Sequence, residues 1–407
     1  MTEPLSVLRR HCYLVIAAMA FLTVIDLFAA QALLPALAER YGVSPRVMGL
    51  AVNSSTLGMA IAGLAVAVMG WQGNRRRAVS ASLVLLAVPT LLLAVAPNIE
   101  VFAALRVIQG LIMATAFSLT LGYMGDKYSA SIVKAAFAAY ITGNVASNFF
   151  GRLISVSIYD SAGLGSAFVF LAALNIAGAF LALYLFGKEQ PRVATVQVGP
   201  AWREHLTDPT LRPGFLVGFF VLFAFLGVFT YMNFHLTRAG FGLTMAQLGL
   251  IHFVFLPSIV TTPLSALVTE RLSHRVALSL FLILAIAGLP LLLSDQILYV
   301  AAGLCLVAIG TFAAQAAATG FIGAAARDNR NAASGLYLAS YYIGGLLGTA
   351  IIGWLYDFSG WTAAVGGVFA SLLLALWYAS KMQLRPVVAA GDARVASGSD
   401  ALHSQRA

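Results

Sequence analysis

Residues 213–237 read PGFLVGFFVLFAFLGVFTYMNFHLT, a run without a single Asp, Glu, Lys or Arg. A helix needs about 20 mostly apolar residues to cross the hydrocarbon core of a bilayer. Backbone polar groups inside lipid must find their partners within the protein, so such a run is expected to be helical. The segment therefore predicts a membrane-spanning helix.

Eleven further runs of similar character lie on both sides of this segment. In chain order, the twelve predicted spans are 12–36, 46–69, 78–96, 100–123, 131–157, 165–187, 213–237, 246–268, 276–294, 297–321, 332–355 and 362–381. The runs are continuous rather than alternating, which excludes a β-barrel. Only 10% of the 407 residues are charged, against roughly a quarter in a soluble protein. We expect an all-α polytopic membrane protein with twelve transmembrane helices.

The basic residues indicate an orientation. Of the 24 Lys and Arg, all but five fall in the termini and loops of one side; the exceptions are Arg40, Arg46 and Arg238 on the other side, and Arg106 and Arg152 within spans. Basic loops stay in the cytoplasm, so both termini are expected there. The net charge of +9 is thus a topology signal rather than a nucleic-acid footprint.

The chain also repeats itself. Tyr140, Gly151, Ile154, Tyr159, Asp160 and Gly163 recur at a shift of 197 as Tyr337, Gly348, Ile351, Tyr356, Asp357 and Gly360. Gly42, Gly49 and Leu50 recur at a shift of 200 as Gly242, Gly249 and Leu250. Two parallel six-helix halves are expected to hold a binding site between them at mid-membrane and to expose it alternately to each side.

The repeat predicts the domain organisation. Residues 1–187 and 213–385 are the two six-helix bundles, and 188–212 is a polar cytoplasmic linker with a short surface helix around Trp202. Residues 386–407, rich in Ala, Gly and Ser, read as a disordered cytoplasmic tail. Cys12 and Cys305 fall within spans, so no disulfide framework is expected.

Three ionisable residues lie deep in the spans: Asp26, Arg106 and Arg152. A charge at mid-membrane is costly, so such residues are functional by default. We interpret Asp26 and Arg106 as a proton-coupling pair, because protonation of Asp26 would release Arg106 and change the relative energies of two conformations. The alternative is a structural ion pair. Arg152 either serves substrate or coupling, or extends towards the membrane interface.

Polar side chains on otherwise apolar spans are candidates for the substrate cavity. Asn144 lies on a polar stripe of span 5, and Tyr337 and Tyr341 lie on the matching stripe of span 11. Gln109, Asn233 and Gln315 are lone polar residues on other spans, for which a hydrogen bond between helices is the alternative. The glycines on both stripes are expected to pack helices closely.

Two motifs carry a family resemblance. Arg106-Val107-Ile108-Gln109-Gly110 resembles the R-x-x-Q-G signature of the major facilitator superfamily, in its proton-coupled exporter branch. Glu270-Arg271-Leu272-Ser273-His274-Arg275 is similar to the D-R-x-G-R-K loop motif of that superfamily. The segments 334–338 and 340–342 are similar to bacterial inner-membrane proteins labelled arabinose-efflux-permease-like.

The first loop departs from the family pattern. Arg75, Arg76 and Arg77 keep the basic half of the loop motif, but its acid is missing. The resemblance therefore implies a cytoplasmic gate that combines these arginines with Glu270 and Arg271. Span 5 also lacks the G-P pair of the antiporter motif, which weakens the preference for export over import.

The resemblance and the deep charges favour a monomeric secondary transporter in the bacterial cytoplasmic membrane, which exports a small organic molecule in exchange for protons. No cofactor or metal is implied. Uptake of a sugar or organic acid, with Arg152 holding an anion, is the alternative. A membrane-embedded enzyme or sensor is a remote third, since it would need clustered His, Asp or Glu, or a soluble output domain. The chain has no phosphate loop that would indicate drive by ATP.

Overall fold

The computed structural model describes residues 5–69, 74–127, 130–186, 201–238, 240–326 and 330–383, and contains helices but no strand in those ranges. Ten helical segments are long and apolar enough to cross a membrane, and two of them, with 47 and 48 residues, are long enough to cross twice. The predicted architecture of twelve spans in two six-helix halves is thereby confirmed.

The first half holds spans 1 to 6, formed by the helices Leu5–Ala32, Leu34–Tyr41, Pro45–Asn53, Ser55–Met69, Arg75–Leu93, Ile99–Lys127 and Ala130–Leu185. A short helix, Ala201–Thr207, lies between the halves and contains Trp202. The second half holds spans 7 to 12, formed by the helices Arg212–Thr237, Met245–Ile251, Leu256–Arg271, His274–Gly288, Ile297–Ala325 and Arg330–Ala379, with single 3-10 turns at His252–Phe255 and Pro290–Leu293. The predicted tail, 386–407, lies outside the described residues.

Several predicted spans are interrupted rather than straight. Span 1 breaks at Leu33, just before Pro35, which has no backbone N–H to continue the helix. Span 8 changes to a 3-10 turn at His252–Phe255 before Pro257 starts the next helix. The predicted loops between spans 5 and 6 and between spans 11 and 12 do not form. In each case one continuous helix runs through both spans and bends at a kink.

The sequence repeat is reproduced in the backbone. The kinks lie at Gly163, with φ 84°, and Gly360, with φ 76°, the equivalent positions of the two halves. Gly42 and Gly242, also equivalent, have φ 62° and 59° and lie in the turns before spans 2 and 8. A side chain at positive φ is sterically disfavoured, so glycine is the residue these turns need. Both copies therefore turn by the same device.

Glycines bring helices into close contact within each half. A Cβ on Gly143 of span 5 would collide with the carbonyl oxygen of Ala17 in span 1. Likewise, a Cβ on Gly344 of span 11 would collide with the carbonyl oxygen of Phe219 in span 7. Small residues let membrane helices approach closely, because packing rather than the hydrophobic effect holds them together in lipid. This agrees with the packing role expected of these glycines.

We call the two ends of the helix bundle the near end and the far end and define each by the residues that lie there. The near end holds the helix Ala201–Thr207 and the start of span 3 at Arg75; the far end holds the turns at Gly42 and Gly242 and both kinks. The outer surface between the ends is apolar, with large exposed side chains such as Phe180, Tyr184 and Leu298. Such a surface is expected where the protein faces lipid rather than water.

Candidate functional site

A small cavity lies between the two halves, near the middle of the spans. The first half lines it with Val24, Leu27, Phe28, Thr56, Met59, Phe117 and Asn144; the second half lines it with Leu222, Phe225, Leu226, Phe312, Gln315, Tyr341 and Tyr342. The wall is mostly aliphatic and aromatic, with a few polar groups that can orient a ligand. This is the usual character of a site for a small molecule.

The far side of the cavity is closed by a layer of buried polar side chains. Seven of them, from five spans, form what we call the far-end cluster: Gln31, Asn53, Asn148, Arg152, Thr230, Asn233 and His252. Gln31 Nε2 donates to Asn53 Oδ1 at 2.8 Å, and Asn53 Nδ2 donates across the halves to Thr230 Oγ1 at 2.9 Å. Asn233 Nδ2 donates to the backbone carbonyl of Gln31 at 3.2 Å.

Arg152 lies in the middle of the far-end cluster and is fully buried. Its Nε donates to Asn148 Oδ1 at 2.9 Å, one Nη donates to Gln31 Oε1, and the other lies 3.5 Å from His252 Nε2 in the second half. The prediction that Arg152 could extend towards the membrane interface is wrong, because spans 1 and 8 cover it. Arg152 instead joins the two halves.

The halves also meet at both ends of the cavity. At the far surface, Ser44 Oγ donates to Asp357 Oδ2 at 3.1 Å. On the near side, a Cβ on Gly63 of span 2 would lie 3.1 Å from the backbone of Gly335 and Ala339 in span 11. Span 2 therefore contacts the second half above and below the cavity.

A second group of buried polar side chains lies inside the first half, away from the interface. This group, which we call the Asp26 cluster, consists of Asp26, Thr90, Arg106, Gln109 and Asn175. Asn175 Nδ2 donates to Asp26 Oδ2 at 2.8 Å and lies 3.2 Å from Thr90 Oγ1. Gln109 Nε2 donates to Thr90 Oγ1 at 2.7 Å. Spans 1, 3, 4 and 6 are thus joined through one hydrogen-bonded chain.

Arg106 is held by oxygen atoms of spans 1, 2 and 4. It donates to the backbone carbonyls of Asp26, Leu27 and Val52, at 3.1, 3.4 and 2.8 Å. It also donates to Gln109 Oε1 at 2.8 Å and to Ser55 Oγ at 3.1 Å. The expected alternative of an ion pair is not what the structure shows, because Arg106 bonds the carbonyl of Asp26 while the carboxylate accepts from Asn175.

Comparison with known proteins gives the family. The sequence profile of the Major Facilitator Superfamily matches residues 16–256 and again residues 239–397, which together cover most of the chain. The chain belongs to the major facilitator superfamily.

Relatives and solved structures agree with this membership. The chain is 25% identical over 364 residues to the uncharacterized MFS-type transporter YybF of Bacillus subtilis, covering 88% of this chain and 90% of the relative. It is 24% identical over 365 residues to the inner membrane transport protein YnfM of Escherichia coli, covering 88% and 87%. It superposes with a TM-score of 0.73 on a bacterial homologue of the human lysosomal transporter Spinster in an inward-facing, occupied conformation, at 16% identity over 94% of this chain and 97% of that one.

The structure places the predicted site residues in three groups. Asn144, Gln315 and Tyr341 line the cavity, and Tyr337 stacks on Tyr341 at a centroid distance of 6.1 Å. Arg152 and Asn233 lie one to two helical turns beyond it, in the far-end cluster. Gln109, expected in the cavity, instead belongs to the Asp26 cluster, because its amide bridges Arg106 and Thr90.

The predicted gate residues lie at the near end. Asn74 caps span 3 by accepting from the backbone of Arg77 at 2.9 Å, and Arg76 donates to the carbonyl of Leu183 in span 6 at 3.0 Å. Arg75 lies close to Gly122 of span 4. Glu270 and Arg271 are exposed at the end of span 8. Their joint action as a gate stays a prediction.

Sequence reasoning missed three important side chains: Thr90, Asn175 and His252. Each is a polar residue on an apolar span, the same signal that singled out Gln109 and Asn233. Asn175 carries the hydrogen bond to the Asp26 carboxylate, and His252 contacts Arg152 from the opposite half. Which of several lone polar residues meet depends on helix rotation, and that is set by packing.

Proposed function

We propose that this protein is a secondary active transporter that exports a small organic molecule, unchanged, in exchange for protons. It works as a monomer in the bacterial cytoplasmic membrane, with the near end in the cytoplasm. The orientation follows from the excess of Lys and Arg in the segments at that end. Membership of a transporter superfamily and a cavity between two repeats support the transport role.

The observation that carries the proton role is a pair of buried oxygen atoms without partners. Asp26 Oδ1 and Asn175 Oδ1 both lack a hydrogen-bond donor, although the same two groups are joined through Asp26 Oδ2 and Asn175 Nδ2. Buried acceptors are normally satisfied. A proton on Asp26 Oδ1 would supply a donor for Asn175 Oδ1, so the arrangement suits a protonated carboxyl paired with an amide.

Loss of that proton would change what Asp26 requires. A buried carboxylate needs a positive partner, since an isolated charge away from water is very costly. Arg106 is the nearby candidate, because it already bonds the carbonyl of Asp26. A carboxylate turned towards Arg106 would compete with its bonds to Val52 and Ser55 in span 2.

Span 2 can carry this change to the substrate site. Thr56 and Met59 of span 2 line the cavity, and Asn53, one turn away, bonds Thr230 of the second half. Four hydrogen bonds between the halves lie at the far end. Each contributes about 0.5–1.5 kcal/mol, so their sum is similar to typical coupling free energies of about 1–3 kcal/mol. A coupling free energy of this size, delivered by one buried proton through span 2, would bias alternating access.

The test is growth of a bacterium lacking its own efflux pumps, challenged with a broad panel of toxic compounds and sugars. We expect wild type to protect against at least one compound and Asp26→Asn to abolish that protection, because Asn cannot take up a proton. Asp160→Asn, the same change at an exposed far-end position, is the matched control and should protect like wild type.

A direct measurement follows once a protective compound is found. In inside-out membrane vesicles with an acidified interior, that compound should release protons through wild type and not through Asp26→Asn. Equal protection by both proteins would show that Asp26 is structural and that the proton role is wrong. Sensitisation of the cells by wild type would instead favour uptake over export.

A further inference from the structure

Arg152 is a buried cation without an anionic partner. Its hydrogen-bond partners, Gln31, Asn148 and His252, are all uncharged or basic. Its other neighbours are the rings of Phe28 and Phe255, at 5.9 and 5.1 Å from Cζ. Among the described residues, no carboxylate lies within salt-bridge distance of Arg152. Buried charges are normally paired, so this site lacks the group that would complete it.

A second polar group beside Arg152 also lacks a partner. Asn148 Nδ2 is buried and has no acceptor. Arg152 has only donors to offer, so His252 Nε2, which faces it, must be the acceptor nitrogen of a neutral ring. The ring proton is then on His252 Nδ1, which is also buried without a partner. A negatively charged acceptor beside Arg152 would satisfy the guanidinium and Asn148 Nδ2 together.

Aromatic rings connect Arg152 to the central cavity. Phe28 lines the cavity and also contacts the guanidinium. Phe225 lines the cavity and lies 6.1 Å, between ring centroids, from Phe255, which contacts the guanidinium from the second half. Phe28 on one side, and Phe225 with Phe255 on the other, thus lie between the apolar cavity and the positive charge.

We propose that the substrate is an amphipathic organic anion. Its apolar body occupies the cavity, and its carboxylate or other acidic head binds Arg152 and Asn148. The head replaces His252 as a partner of Arg152, which removes a contact between the halves and favours opening of the far end. This inference rests on the proposed transport function and names its substrate class.

The test compares two probes of the same shape, the anion 1-naphthoate and the neutral 1-naphthamide, with purified protein in lipid nanodiscs. Binding is measured from the rise in unfolding temperature with ligand concentration. We expect wild type to bind naphthoate roughly tenfold or more tightly than naphthamide, the factor that one charge-assisted hydrogen bond provides.

Two variants at one position test the assignment to Arg152. Asn148→Asp places a carboxylate next to the guanidinium, one helical turn away. We expect this variant to unfold at a higher temperature than wild type without ligand and to lose the preference for naphthoate. Asn148→Ala removes one proposed contact to the acidic head without adding a charge, so it should bind naphthoate more weakly than wild type but still prefer it, because Arg152 remains. The opposite outcomes at one site separate a charge effect from general damage.

The proposal is overturned if wild type binds neither probe, binds both equally, or if Asn148→Asp keeps the preference. These outcomes are distinct from failure of the proton role. If wild type exports a compound but binds naphthoate no more tightly than naphthamide, transport stands and the anion site is wrong. If naphthoate binds as expected but its movement through wild type into vesicles is independent of a pH gradient, the anion site stands and proton coupling is wrong.

Discussion

Arg106 and Arg152 are both fully buried, but they lie in clusters that connect different parts of the protein. Arg106 is surrounded by spans of the first half and bonds five oxygen atoms there. Arg152 has three polar partners, and one of them, His252, belongs to the second half. The Asp26 cluster therefore stays within one body, whereas the far-end cluster must change when the two halves separate.

The two clusters also differ in charge. Asp26 lies beside Arg106, so a proton can turn a neutral acid into a counter-charge within the cluster. Arg152 has no acid among its described neighbours, and we propose that a bound anion supplies its counter-charge. The Asp26 cluster suits a site that takes up and releases a proton, and the far-end cluster suits a site that binds an anion. The same residue type is thus used for two tasks, distinguished by which groups surround it.

Substituting Lys for Arg106 and, separately, for Arg152 is expected to give the largest difference in stability between the two clusters. A Lys ammonium has three donors, so Arg106→Lys leaves at least two of five acceptors unsatisfied, at about 1–3 kcal/mol each. We expect that variant to lose about 3 kcal/mol or more of stability, together with transport. Arg152→Lys keeps enough donors for its partners and should lose about 1 kcal/mol.

Thermal unfolding in nanodiscs and the growth assay check both variants. Similar losses at the two positions would contradict the proposed difference, because they would mean that Arg152 carries as much structure as Arg106. A folded Arg106→Lys with full transport would show that the guanidinium geometry is not needed for coupling.

The sequence predicts the fold because its signals are long and continuous. Twelve apolar runs and two aligned sets of glycines suffice for the span number and the repeat, and Gly163 and Gly360 occupy equivalent kinks as the alignment requires. The charged members of the site are also found from sequence, because Asp26, Arg106 and Arg152 stand alone in apolar spans. A charged residue is rare in an apolar span, so it can be recognised from the sequence alone.

Partnerships within the site are not predicted, because they depend on the rotation and tilt of each helix. The pattern suggests a side-chain pair between Asp26 and Arg106, but the carboxylate turns to Asn175 and the guanidinium turns to backbone carbonyls. Arg152 is near the far end of its span in sequence, yet Phe255 and His252 of span 8 bury it. These contacts come from elements far apart in the chain.

A smaller effect is expected from Gln→Leu in each cluster. Gln31→Leu removes the acceptor of Arg152 and the donor to Asn53, at about 1–3 kcal/mol. Both bonds lie inside the first half, but they orient Arg152 and Asn53, the side chains that contact His252 and Thr230 of the second half. Gln109→Leu removes a similar number of bonds inside the first half. We expect only Gln31→Leu to shift the population towards an open far end.

Spin labels at Ser161 and Ala246, exposed far-end positions of different halves, report that opening in a background with Cys12 and Cys305 replaced. Gln31→Leu should increase the population with a long label separation roughly tenfold or more, and Gln109→Leu should leave it like wild type. Opening in both variants would mean that the clusters are not independent.

The smallest effect on stability and on far-end opening is expected when the single hydrogen bond between Asn53 and Thr230 is removed. Thr230→Val removes the acceptor oxygen at nearly constant shape, while Asn53 Nδ2 keeps the carbonyl of Gly49 at 3.1 Å. The cost is therefore about 0.5–1.5 kcal/mol, all of it in a contact between the halves. Thr349→Val is the control, because that buried hydroxyl bonds Gly345 in its own helix. Both variants should lose similar stability, but only Thr230→Val should lengthen the label separation, since only its bond is broken when the halves part.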